Sequence, residues 1–206
     1  MNGYSAGSLS LTLIYYTMCR IIDYSKLIDV KNRNIICSNI HAIYIFYASA
    51  ALLTGLGTSE DFKKASMFSV AYAINDIRDT ICIGLPNAKE MIFHHSLILV
   101  SFSLFLLEPL IVIPDNYHTY LAMNFMTEVT TPILNYCFYL HNNKKPYKNP
   151  AIVLVIFYFI FRVINCSYIT YISLQEGQYF VYKYVQIPFT LLNYYWFTKL
   201  VKKALN

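Results

Sequence analysis

The sequence predicts an all-α, polytopic transmembrane helical bundle, and three observations lead there. Of its 206 residues, 57% are hydrophobic and only 13% charged, whereas a soluble domain carries about 25% charged residues. Several apolar runs reach the roughly 17–25 residues that cross a bilayer. The Lys and Arg residues fall mostly in the polar breaks between those runs. There they set topology, and the net charge of +5 gives no reason to invoke nucleic acid. No internal repeat, linker or low-complexity segment divides the chain, and the length suits one bundle.

About seven spans are expected. Span one runs from about Ser8 to Ile22, bounded by Arg20 and Asp23; it reads as an anchor, since no small-residue cleavage site follows it. The basic loop with Lys26, Lys31 and Arg33 separates it from span two, about Ile35 to Leu56, which contains His41. Gly55, Gly57 and the cluster Glu60, Asp61, Lys63 and Lys64 end span two. Span three, about Ser66 to Ile83, is broken by Gly84, Pro86 and Asn87. Span four starts near Met91 and ends at Leu107, or continues with a kink past Pro109 to Ile113. Span five runs from about Thr119 to Leu140, with a kink expected at Pro132. Span six opens on Pro150, a residue suited to a helix start, and runs to about Ile172. Span seven covers about Gln178 to Val201, with Pro188 inside.

Charge between the spans orients them. With an exoplasmic N-terminus, the inner segments hold Lys26, Lys31, Arg33, Lys89, Lys144, Lys145, Lys148, Lys199, Lys202 and Lys203, and the outer ones only Lys63 and Lys64. That asymmetry places the N-terminus outside or in a lumen and the C-terminus in the cytosol. If span one stayed out of the bilayer, the other six would keep the same orientation. The five cysteines show no CxxC spacing and read as small packing residues.

Polar residues inside the spans carry the chemistry. A central acid or base costs roughly 2.5–3.5 kcal/mol on insertion scales, so such groups point inward, at each other or at a substrate. Asp76 and Asp79 are three apart and share a helix face with Tyr72. They orient a histidine or a substrate amine or hydroxyl, or else they form ion pairs with Arg78, Arg162 or Arg20. His94 and His95 are neighbours, about 100° apart on a helix, so only one can face a given cavity. Imidazole suits the role of general base or acyl-carrying nucleophile. Glu128, Thr131 and Asn135 repeat at i, i+3, i+7, with Asn124 on the same span. They form a cavity wall or an interhelical hydrogen-bond seam. Arg162 reads as the charge partner of a buried acid. No HExxH occurs, and the nearest His and acids sit on different spans, so no metal is expected. There is also no nucleophile elbow, phosphate loop or dinucleotide fingerprint.

Five motifs in order resemble one family. Asn32-Arg33-Asn34 leading to Ser38 and His41-Ala42 resembles the entry motif of TLC-domain membrane proteins. Tyr72, Asp76 and Asp79 resemble their YxxxDxxD span, and Phe93-His94-His95 their His-His pair. Glu128 through Thr131-Pro132 to Asn135 resembles their ExxTPxxN segment, and Asn193-Tyr194-Tyr195-Trp196-Phe197 the end of the domain. The resemblance covers about residues 32–200. It divides the chain into an N-terminal span and basic loop, 1–31, and a TLC-like domain, 32–203.

The family includes ceramide synthases, translocon-associated proteins, a cargo receptor of the endoplasmic reticulum and proteins that affect membrane lipid composition. The resemblance implies six helices ringed around a central, lipid-accessible cavity, plus one further helix, in the endoplasmic reticulum membrane. In ceramide synthases the His pair and downstream acids transfer an acyl group from acyl-CoA to a sphingoid amine. Their downstream HDxxDxxLE signature is here Thr127-Glu128-Val129-Thr130-Thr131-Pro132-Ile133-Leu134-Asn135. Only Leu134 and a carboxylate at Glu128 persist, so the chain resembles the general members more than the ceramide synthases. The candidate catalytic residues are thus His94, His95, Asp76, Asp79 and Glu128. Tyr72, Asn124, Thr131, Asn135 and Arg162 are the candidate substrate-binding residues. Acyl-CoA is the expected co-substrate if the protein is an enzyme, with no tightly bound cofactor, and membrane lipids are the expected partners. A non-catalytic lipid sensor or cargo receptor on the same scaffold is the alternative.

Overall fold

The computed structural model describes residue 17 and residues 30–83, 87–107, 116–175 and 180–205, and these are overwhelmingly helical. Six helices follow in chain order. They are α1 (Val30–Leu53), α2 (Ser59–Ile83), α3 (Ala88–Leu107), α4 (residues 117–142), α5 (Lys148–Gln175) and α6 (Phe180–Leu205). Expected span one lies outside the described residues except for Thr17. So do residues 108–115, on which the end of span four depends.

Helix α1 begins at Val30, so Lys31 and Arg33 of the expected basic loop lie in its first turns, and α6 runs to Leu205 rather than Val201; at two other boundaries local chemistry shows why the end moves. Helix α1 stops at Leu53 rather than Leu56. Gly55 takes a left-handed conformation at φ 74°. The Leu56 N–H then donates to Ala51 O (2.9 Å) and the Gly55 N–H to Leu52 O (3.2 Å). This pair of bonds is the Schellman cap that glycine favours. Helix α2 starts at Ser59, well before Ser66, because Thr58 and Asp61 cap it reciprocally. The Asp61 N–H donates to Thr58 Oγ1 (3.2 Å), and the Thr58 hydroxyl donates to Asp61 Oδ2 (2.6 Å). The Thr58 hydroxyl and backbone N–H hold the Asp61 carboxyl below its ordinary range. The end of α4 uses a second Schellman cap, through Lys145 N–H to Leu140 O (2.9 Å) and Lys144 N–H to His141 O (3.0 Å). Here the left-handed residue is Lys144, at φ 54°.

Two helices are irregular where polar residues gather. Helix α4 passes from Tyr117–Phe125 through a 3₁₀ turn, Met126–Val129, into Thr130–Asn142. Pro132 explains the turn: it has no N–H to offer the Glu128 carbonyl, and its ring crowds that oxygen. The expected kink at Pro132 is thus a tightened turn just before it. Helix α5 opens into a π turn at Phe159–Ile164, which contains Arg162. The two irregular turns lie against each other.

The helices touch in the cyclic order α1, α2, α3, α6, α5, α4 and back to α1. Polar side chains line the inside. His41, Asn75, Asp79, His94, His95, Glu128, Arg162, Gln186 and Asn193 are each no more than 6% exposed. Large apolar side chains cover the outside, with Ile40, Ile43, Tyr44 and Tyr47 forming a stripe on α1 and Ile152, Ile156, Phe159 and Ile160 another on α5. A chain folded in water avoids such broad apolar patches; a chain folded in lipid requires them. Asn34–Leu53 and Lys148–Gln175 are long and apolar enough to cross a bilayer, with mean hydropathies of 1.5 and 2.1. Helix α2 carries Asp76, Arg78 and Asp79, so it does not meet that standard on composition alone.

One end of the bundle is filled with aromatic rings. Phe102 stacks on Phe125 at 5.1 Å, and Phe62 meets Phe125 edge-on at 6.3 Å. The other end is basic. Lys199 reaches Glu90 at 3.1 Å, and Lys203 lies 6.0 Å over both the Phe138 and Tyr147 rings.

The two Schellman caps predict opposite responses to substitution. Gly55→Ala should lower stability and Lys144→Gly should raise it, each by about 1 kcal/mol, because a left-handed L-residue is disfavoured by roughly that amount. Thermal unfolding of the purified protein in one detergent measures both; shifts of the same sign would refute the assignment.

Candidate functional site

The sequence brings three helices to one level through their polar positions. Asp76 and Asp79 share a face of α2, the His pair lies six residues into α3, and Glu128 lies in the 3₁₀ turn of α4. Asp76 Oδ2 stands 3.2 Å from His95 Nδ1. The approach is close but off the line of a ring N–H, so neither atom has a formed hydrogen bond among the described residues. Asp79 takes the other role foreseen for these acids: it pairs with Arg78 at 3.8 Å. Arg78 is half exposed, so that contact contributes little.

His94 and His95 diverge as adjacent helical residues must. His95 points to α2, where Tyr72 meets it edge-on at 5.6 Å. His94 points to α6, stacked on Phe189 at 5.3 Å and edge-on to Trp196 at 5.2 Å. Behind Tyr72, His41 stacks at 4.1 Å and 11° and joins Ser69 through Nε2 at 2.9 Å. A row of rings thus crosses the bundle from α1 to α6. The Nδ1 atoms of His41, His94 and His95 are buried without a hydrogen-bond partner among the described residues. Three such nitrogens are unusual, because buried polar atoms are nearly always satisfied.

Glu128 sits in a second network. Thr131 donates its hydroxyl proton to Glu128 Oε2 (2.7 Å), and Arg162 Nη2 lies 3.5 Å from Oε1. Arg162 also donates from Nε to Thr130 Oγ1 (2.8 Å) and from Nη1 to Asn193 Oδ1 (3.3 Å). Its guanidinium stacks 5.2 Å above the Tyr158 ring. Every face of this buried cation is engaged, as a low-dielectric site demands.

The remaining expected site residues lead elsewhere. Asn135 donates to Asn39 Oδ1 (2.7 Å), which ties α4 to α1. Asn124 donates to Gln186 Oε1 (2.7 Å), and Gln186 donates in turn to Thr190 Oγ1 (3.3 Å), which ties α4 to α6. A cavity of about 20 Å³ lies between Ser101, Asn124, Thr127, Glu128, Gln186 and Phe189. That holds about one water, not an acyl chain. Gln186, Thr190 and Asn193 lie outside the expected site set, although their i, i+4, i+7 spacing in an apolar helix marks one inward face. Asn193 and Trp196 belong to the final sequence motif without being assigned a place in the site. Among the described residues, no three His, Cys, Asp or Glu side chains converge to hold a metal ion.

A family model for the TLC domain matches residues 12–202. No curated protein matches the chain, and no solved structure does.

The Arg162 network predicts a large, non-additive response. Removing Arg162 alone (Arg162→Met) leaves Glu128 buried and unpaired, which costs about 3–5 kcal/mol. Combining it with Glu128→Gln should recover part of that loss. Unfolding of wild type, both single variants and the double variant in detergent measures the coupling; strictly additive losses would exclude it.

Proposed function

The chain belongs to the TLC-domain family, a family of bilayer-embedded proteins with lipid-related functions, and from that premise we propose that it acts in membrane lipid metabolism as an acyl-CoA-dependent acyltransferase to a lipid amine or alcohol. The observation that carries this reading is the approach of Asp76 to His95 at 3.2 Å, with His94 alongside. An imidazole with a carboxylate on one nitrogen is a general base held in one orientation. His95 Nε2 takes the proton from the acceptor amine or hydroxyl as that group attacks the thioester carbonyl. Asp76 stabilises the imidazolium through Nδ1–H. The proton then passes to the departing thiolate, giving an amide or ester and free CoA. Asp76, Asp79 and Glu128 set three carboxylates against Arg78 and Arg162, an excess of one negative charge that offsets the imidazolium formed as His95 takes the proton.

The same reading places seven spans in the endoplasmic reticulum membrane, six of them around the site, with the N-terminus lumenal and the C-terminus cytosolic. The gathering of Lys199 and Lys203 with the ends of α3, α4 and α5 supports a common basic face. A second reading, a non-catalytic lipid-binding or cargo-receptor role, is favoured by the small size of the cavity beside Glu128. Catalysis requires the bundle to open; a regulator needs only a closed and an open state.

Two measurements test these readings. Cells expressing the wild-type chain are compared by lipidomics, at matched protein level, with cells expressing Asp76→Asn or His94→Ala/His95→Ala. One lipid class should rise with wild type only, and the variants should form it more slowly by about 10²–10⁴-fold, the usual contribution of general base catalysis. Equal profiles from stably inserted proteins would reject acyl transfer and leave the lipid-binding role. For topology, a glycosylation acceptor placed before residue 1 should be modified and one placed after residue 206 should not; the reverse pattern would overturn the orientation.

A further inference from the structure

The basic end carries a second feature, separate from the His site. A surface groove of about 270 Å³ runs between the first turns of α5 and the last turns of α6. Lys148, Ile152, Val155 and Ile156 line one side, and Val201 and Ala204 the other. On α5 these positions follow i, i+4, i+7, i+8, so they form one continuous face. The walls are apolar except for Lys148 at the mouth. Ile152 and Ile156 are 45% and 52% exposed, so the groove floor is wide open along its length.

Charge around the mouth is one-sided. Lys144, Lys145, Lys202 and Lys203 belong to the same end of the bundle as Lys148. Lys145 and Lys203 rest over aromatic rings, Lys145 on Tyr139 at 5.7 Å and Lys203 on Phe138 and Tyr147. Those contacts place the ammonium groups over ring faces, and neither ammonium has an anionic partner among the described residues. Glu90, the acid of this end among the described residues, is occupied by Lys199 at 3.1 Å and by the Tyr195 hydroxyl at 3.4 Å. Glu60 and Asp61 are at the opposite end, and Asp76, Asp79 and Glu128 belong to the site. Among the described residues, no ion pair joins any of these five lysines to a carboxylate.

We propose that this groove is a binding site for one anionic phospholipid, with an acyl chain along Ile152, Val155, Ile156, Val201 and Ala204 and the phosphate at Lys148. The apolar walls supply chain burial, and each CH₂ removed from water or from loose packing adds to retention. The unpaired ammonium groups supply headgroup selection, about five-fold per lysine at a membrane surface. A zwitterionic phospholipid offers the same phosphate but adds a quaternary ammonium that the lysines around the mouth repel, so net headgroup charge decides between the two. This site is outside the His cluster and does not depend on whether that cluster is catalytic.

The test is native mass spectrometry of the full chain, delipidated in a mild detergent and offered equimolar phosphatidylserine and phosphatidylcholine. The wild type should retain one phosphatidylserine in preference to phosphatidylcholine by about five-fold or more. Lys148→Glu should abolish that preference, and Ile156→Trp, which fills the groove, should lower retention of both lipids. Both positions are on the surface, so circular dichroism should show unchanged helix content. Lys64→Glu at the opposite end makes the same charge change and should leave the preference intact. Equal retention of the two lipids by wild type would overturn the proposal. So would a preference that survives both groove substitutions, or one that Lys64→Glu also removes. A lipid-free dimer mass would assign the groove to a second copy of the chain and overturn it as well.

Discussion

A cation buried among helices has to be paired, and in this bundle the pairing of Arg162 with Glu128 governs the backbone around it. Arg162 is 5% exposed and Glu128 6%. A regular α5 and a regular α4 would each present their side chains on a fixed 100° rotation. The π turn at Phe159–Ile164 and the 3₁₀ turn at Met126–Val129 depart from that rotation in opposite senses, one wider and one tighter. They meet each other, and it is there that Arg162 reaches Thr130, Thr131, Glu128 and Asn193 together. Pro132 accounts for the 3₁₀ turn, and together the two irregular turns keep Arg162 paired where a bare charge would stand in a low-dielectric interior.

That network also fixes the distribution of polarity. Since α4, α5 and α6 must aim Glu128, Arg162 and Asn193 at one point, their opposite faces are left to lipid. The exposed stripe Ile152, Ile156, Phe159 and Ile160 on α5 is the counterpart of the buried Arg162 face. Between α1 and α4 the tie is Asn39 to Asn135 (2.7 Å), and between α4 and α6 it is Asn124 to Gln186 (2.7 Å). Without a hydrophobic force between helices, hydrogen bonds of this kind and close packing do the joining. Small side chains permit that packing: Ala42, Ala73 and Ala122 are fully buried.

Much of this was legible in the sequence because the signals were strong in apolar surroundings. His94, His95, Asp76, Asp79, Glu128 and Arg162 stand out against long hydrophobic runs, and all converge on the interior. The partners of Asn124 and Asn135 were not legible. An inward asparagine in a span announces that it will be hydrogen-bonded, but not to which helix, since that depends on the cyclic order α1, α2, α3, α6, α5, α4. The π turn left no local trace either: Phe159-Ile160-Phe161-Arg162-Val163-Ile164 reads as ordinary apolar helix around one cation. Pro132 did signal a break, but the strain it causes is relieved one turn earlier, at the carbonyl it cannot serve. By composition the charged run 60–64 reads as a loop before α2, whereas Thr58 and Asp61 make it the first turn of that helix.

The geometry around the histidines separates two tasks between two rings. His95 meets Asp76 and Tyr72 on the α2 side. His94 is held from the α6 side by Phe189 and Trp196, and it is 5% exposed. A lipid approaching the pair from the α6 side therefore has to displace one of those two aromatic rings before it touches His94, while the His95–Asp76 contact can persist. The 20 Å³ cavity next to Phe189 lies on that same side, so movement of the Phe189 ring would join it to the His pair. On the acyl-transfer proposal, the Phe189 and Trp196 rings on one side and the Asp76–His95 contact on the other would let the bundle stay closed without substrate and keep the proposed pair together. In that proposal access would lie with α6 and proton transfer with α2 and α3.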